Sequence, residues 1–69
     1  MITYEPFRLW YVKHFPNHSR NDIAKETGLS RHTITKIWND NHTKTETLER
    51  ICETYKLRIE QVCEYREQK

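Results

Sequence analysis

Sixty-nine residues with twelve Lys/Arg, ten Asp/Glu and a formal net charge of +2 make one small domain, spanning 1–69, with too little chain for a large core or an enclosed catalytic pocket. A mean hydropathy of −1.04 would suit disorder, but aromatic residues make up 12% and the apolar residues recur at helical spacing, so a folded domain is expected. One glycine and two prolines leave little turn chemistry for a sheet, and the fold class expected is all-α.

The first helix is expected to open at Thr3 as N-cap. Pro6 falls in its first turn, where a missing N–H does no harm. Phe7, Trp10, Tyr11 and His14 follow at helical spacing. Aromatic side chains can stack on bases in single-strand binders. A domain this small needs bulky side chains to close its core, so these are read as core. Phe15-Pro16-Asn17-His18 then breaks the helix.

Ser19 to Asn39 is the most informative stretch. Ser19 and Asp22 have the S-x-x-D form of a capping box, opening a second helix that carries Ile23 and Ala24 on one face. Gly28 stops it, because glycine takes the left-handed conformation without a Cβ penalty. Leu29 is placed to pack back. Ser30 is a second N-cap, and Ile34, Ile37 and Trp38 define the inward face of a third helix over 30–39. The opposite face carries His32, Thr35, Lys36 and Asn39, with Arg31 on its flank. That face is rich in donors and holds no acid, which suits a partner made of acceptors and negative charge.

Asp40 to Lys44 reads as a polar loop in which Asn41 can take a left-handed conformation. Hydroxyls at Thr43 and Thr45, the Lys44 ammonium and the following helix start make a ready phosphate site. A fourth helix over 46–55 has Leu48, Ile51, Cys52 and Tyr55 as its apolar stripe. Lys56 follows, and a non-glycine there costs something if the residue must be left-handed. Ile59, Val62 and Cys63 are spaced for burial in a fifth helix, and Arg66 to Lys69 are expected to fray.

Residues 1–44 hold seven Lys/Arg against four Asp/Glu, a balance of +3, and all four histidines. Residues 45–69 hold five against six, a balance of −1. The positive charge therefore sits with the donor-rich helix. Cys52 and Cys63 are expected to be buried free thiols. There is no C-x-x-C pair, and neither a metal nor a cofactor is expected. No secretory signal and no membrane-spanning apolar run is seen, so a cytoplasmic location is expected. No acid pair, nucleophile-and-base set or glycine-rich phosphate loop stands out, so an enzyme is not expected.

The run I-A-x-x-T-G-L-S-x-x-T-I-x-x-I, from Ile23 to Ile37, resembles the helix-turn-helix of phage Cro and repressor proteins, the XRE-like family. Leu48 to Glu53 resembles that family's fourth helix, and Leu57-x-Ile59-x-x-Val62 its fifth. The resemblance implies a compact five-helix domain that binds double-stranded DNA as a homodimer on a palindromic operator. It implies a third helix in the major groove, with Arg31, His32, Thr35, Lys36 and Asn39 against base edges. Ser19, Arg20, Ser30, Thr33, Thr43, Lys44 and Thr45 would then meet phosphates. The surface around Val62 to Tyr65 is the candidate dimer contact. A small repressor from a phage or other mobile element fits. With no sensing domain seen, control is expected from concentration, operator competition or a protein partner. The alternative is a protein-interaction module, antirepressor- or antitoxin-like, on the same scaffold.

Overall fold

The computed structural model describes residues 1–67. In chain order these form β1 (Ile2–Thr3), α1 (Glu5–His14), α2 (Arg20–Thr27), α3 (Arg31–Trp38), α4 (Thr45–Tyr55), a 3-10 turn (Ile59–Gln61) and β2 (Glu64–Tyr65). The fold is mostly helical, but it is neither purely all-α nor five-helical. The expected fifth helix is a single 3-10 turn. Beyond it the chain extends and pairs with the N-terminal residues.

That pairing is antiparallel, with Ile2 opposite Tyr65 and Thr3 opposite Glu64. β-Branched and aromatic residues favour extended backbone. Thr3 is therefore a strand residue, and Tyr4 takes the N-cap position of α1. The Thr3 hydroxyl still accepts the Glu5 N–H at 3.2 Å. Arg66 does not fray: its N–H donates to Met1 O at 2.8 Å, and its guanidinium meets Glu5 at 2.6 Å. Gln68 and Lys69, also expected to fray, lie outside the described residues.

The core is Tyr4, Phe7, Tyr11, Ile23, Ile34, Ile37, Ile51 and Val62. Fully burying such a side chain is worth about 1.5–3 kcal/mol, and Phe7, Ile23, Ile37, Ile51 and Val62 are all at 0% exposure. Phe7, Trp10, Tyr11, Phe15 and Tyr55 form a ring cluster between α1 and the end of α4. The aromatic residues of α1 are thus core and flank, as expected. Leu29 packs against the core, and Trp38, Leu48, Cys52 and Cys63 do so while half-buried. Cys52 and Cys63 are free thiols, and burial raises the pKa of both. Ile59, expected inside, is 51% exposed. At the head of a one-turn segment it has no helical face to share with Val62.

Two turns carry non-glycine residues with positive φ: Asp40 and Lys56, both at 58°. Lys56 ends α4 in the left-handed conformation. In the loop after α3, Asp40 and not Asn41 takes that conformation. Its carboxylate has partners on three residues of the N-terminal segment, and these fix the turn one position earlier.

Candidate nucleic-acid interface

Ser19 and Asp22 form the capping box of α2. The Ser19 N–H donates to Asp22 Oδ2 at 2.7 Å, and that bond is the largest influence holding the Asp22 carboxyl below its ordinary range. Gly28 closes α2 at φ 77°. Thr27, buried at 2%, donates its hydroxyl to Ile23 O at 2.7 Å and accepts the Leu29 N–H at 3.2 Å. The turn between α2 and α3 is thereby fixed on both sides of the glycine. Arg50 adds a longer bond, from Nη1 to Thr27 O at 3.4 Å, at the end of the helix where a cation is favoured.

Ser30 caps α3, accepting the Thr33 N–H at 3.1 Å. The Ser30 and Thr33 hydroxyls are 2.9 Å apart. Ile34 and Ile37 are buried and Trp38 half-buried, so the outer face of α3 presents Arg31, His32 and Thr35, with Asn39 at its C-cap. All four are exposed. The Thr35 hydroxyl donates back to Arg31 O at 3.0 Å. Asp40, the nearest acid in the chain after α3, is drawn inward by Arg8, Thr3 and Tyr4.

Clefts border α3 on both flanks. One, of about 380 Å³, is lined by Ser19, Arg20, Asn21, Arg31, Ile34 and Thr35. The other, of about 220 Å³, is lined by Thr33, Lys36, Thr43, Lys44 and Thr47. No carboxylate lines either. Of the expected phosphate residues, Ser19 and Arg20 meet in the first cleft, and Thr33, Thr43 and Lys44 in the second. Lys36, expected at base edges, faces the second cleft. Thr45 stands apart as the first residue of α4, on a groove shared with Glu46, Leu48, Glu49, Cys52 and Ile59. Asn21 and Thr47 were not singled out from the sequence. Their proximity in the chain to Arg20 and Lys44 was the available signal.

A family model for the Cro/C1-type HTH DNA-binding domain matches residues 8–68. The chain belongs to that family. Neither the curated proteins nor the solved structures compared with it gave a match. As a Cro/C1-type domain it is a DNA-binding regulator, and its two central helices with the turn at Gly28 are the helix-turn-helix.

Outside this unit a second polar cluster joins α1, α2 and α4. Glu26 Oε1 accepts from Tyr11 at 3.0 Å and from Tyr55 at 2.5 Å, while Glu26 Oε2 lies 3.3 Å from His18 Nδ1. Burial first, and then Glu26, push both tyrosine hydroxyls to higher pKa. His14 and His18 stand four residues apart, but each uses Nδ1 within the protein. Among the described residues no group of three or more His, Cys, Asp or Glu is placed to hold a metal ion. No described helix is long and apolar enough to cross a membrane.

Proposed function

We propose that this Cro/C1-type domain is a sequence-specific reader of double-stranded DNA, a small cytoplasmic repressor that sets α3 into the major groove. The observation that carries the reading is the acid-free outer face of α3, bordered on each side by a donor-lined cleft. A duplex offers the complement: base edges in the groove and a phosphate strand on either side.

Arg31, His32, Thr35 and Asn39 then face bases. Arg31 supplies a planar fork matched to guanine O6 and N7, and the exposed Thr35 can offer its methyl to a thymine methyl. Ser19 and Arg20 serve one phosphate strand. Thr33, Thr43, Lys44 and, from its flank position, Lys36 serve the other. Ser30 and Thr45 open α3 and α4, whose N-terminal amides favour anions. The active unit is a homodimer on a palindromic operator. Val62 is fully buried and contributes nothing to such a contact, so we assign it to the exposed Ile59 and Tyr65.

Selection from a random duplex pool tests this, followed by affinity for the winner and for scrambled DNA over a salt series. A palindromic winner preferred by about 10³ or more supports a dimeric sequence reader. Weak binding that vanishes with salt and yields no motif would replace it with a protein-interaction module, and a partner pull-down would follow.

A further inference from the structure

Arg20 heads α2 and is exposed. Its guanidinium carbon lies over the Trp38 ring, 5.9 Å from the centroid. Trp38 is the last residue of α3 and is itself half-buried, packed against the core. Among the described residues, the Arg20 side chain donates to no carboxylate or carbonyl. Among the described residues its partner is the indole face of Trp38. The same residue lines the cleft with Ser19, Asn21 and Arg31, from which acids are absent.

A guanidinium stacked on an indole uses its flat face and leaves its N–H edge open. That edge is the part that pairs bidentately with phosphate. A long arginine side chain otherwise surrenders rotamer freedom when it binds, and an aromatic platform removes part of that cost in advance. Trp38 can act so because it is anchored in the core beside Ile34 and Ile37, and so moves with α3. A phosphate contact made by Arg20 is thereby held in register with the helix that reads bases.

We propose that Trp38 is a positioning residue for Arg20: its indole carries the guanidinium and keeps the N–H edge toward a DNA phosphate at the mouth of the α2–α3 cleft. This deepens the DNA-reading assignment and rests on it. Losing the contact removes all that it contributes, and losing the platform removes the part that positioning supplies.

The test is a double-mutant cycle on a random-sequence duplex. Trp38→Leu is expected to weaken binding about fivefold while Arg20 keeps its charge. Arg20→Gln is expected to weaken it at least as much and to make the salt slope shallower by about one ion, and the double variant to do no worse than Arg20→Gln alone. Trp38→Phe, which keeps a smaller π face, should recover part of the loss. Trp38 is the sole tryptophan in a Trp10→Phe background, and there its emission should change on adding duplex. That change should disappear with Arg20→Gln, a readout that survives even if Trp38→Leu fails to fold. Additive losses, or a folded Trp38→Leu protein that binds duplex as tightly as the wild type, would overturn the platform while leaving DNA reading intact. A wild-type chain with no salt-dependent duplex binding would overturn both.

Discussion

The Arg8 guanidinium on α1 lies 2.6 Å from Asp40 Oδ1 in the loop that leaves α3, tying the first helix to the exit of the second helix of the helix-turn-helix. Asp40 Oδ1 also accepts from the Tyr4 N–H at 2.9 Å and the Thr3 hydroxyl at 3.0 Å. Arg8 in turn donates to Ile37 O at 3.2 Å, and the Tyr4 hydroxyl lies 3.2 Å from Thr43 Oγ1 in the second cleft. One buried tyrosine and one carboxylate thus set where α3 ends and where the loop to α4 begins.

Asp40→Asn isolates the charge, because asparagine tolerates the same left-handed backbone and keeps one acceptor oxygen. We expect a destabilisation of about 1–2 kcal/mol, at the low end for a charged bond because both side chains remain 20% exposed. The Arg8 guanidinium above all holds the Asp40 carboxyl below its ordinary range, with the Tyr4 N–H and the Thr3 hydroxyl adding to it. A folded pKa below the unfolded one gives stability that is complete above about pH 4 and drains away as pH falls through the folded value. The gap between wild type and Asp40→Asn in urea melts should therefore be constant from pH 7 to 5 and close in stronger acid. A gap that ignores pH would show that the charge plays no part.

Much of this site is legible from residues close in the chain. The Ser19–Asp22 box, the Gly28 stop and the Ser30 cap are local, each satisfied within four residues, and the Ile34/Ile37 spacing fixes the inward face of α3. The β1–β2 pairing joins residues at opposite ends of the chain, and two-residue strands carry no alternation to reveal it. Asp40 was passed over for Asn41 for the same kind of reason. Local propensity favours either, and the choice is made by Thr3, Tyr4 and Arg8 more than thirty residues away. Trp38 was readable as an inward residue, but nothing in its spacing places Arg20 across its face.

The tyrosine pair around Glu26 sets an alkaline limit. Tyr11 and Tyr55 have folded pKa values raised by burial and by the Glu26 carboxylate. The stability they carry is complete below the unfolded tyrosine value of about 10 and is lost as pH climbs from there toward the folded values. In a Tyr4→Phe, Tyr65→Phe background, which leaves Tyr11 and Tyr55 as the two tyrosines, both hydroxyls should ionise only together with loss of helical circular dichroism in a spectrophotometric titration. Glu26→Gln keeps an acceptor but removes the charge, and should move their ionisation to lower pH. Two tyrosines titrating early in a still-helical protein would contradict the shared carboxylate.

Lys56 offers a gain in stability. It closes α4 at φ 58°, a conformation that costs a residue with a Cβ roughly 1–2 kcal/mol. Lys56→Gly removes that cost but frees the unfolded chain, and the net gain expected is about 0.5–1 kcal/mol. The reverse change at Gly28 should lose a similar amount. A Cβ there would meet only Arg50 Nη1 at 3.8 Å, so the penalty is backbone strain at φ 77° and not a clash. Thermal melts of the two variants should move in opposite directions, with duplex preference unchanged in both.

Arg31 and Lys44 separate base reading from backbone holding. Arg31 stands at the first turn of α3 on its exposed face, and Lys44 lies in the cleft beside it. Arg31→Ala should cost roughly 1–3 kcal/mol on the selected operator and relax the choice at one base pair, while random duplex loses less. Lys44→Ala should weaken operator and random duplex alike and reduce the salt slope by about one ion. Operator and scrambled duplex measured side by side over a salt series decide between the roles. Equal losses for Arg31→Ala on both would move that residue to the backbone, and an unchanged slope for Lys44→Ala would remove its phosphate contact.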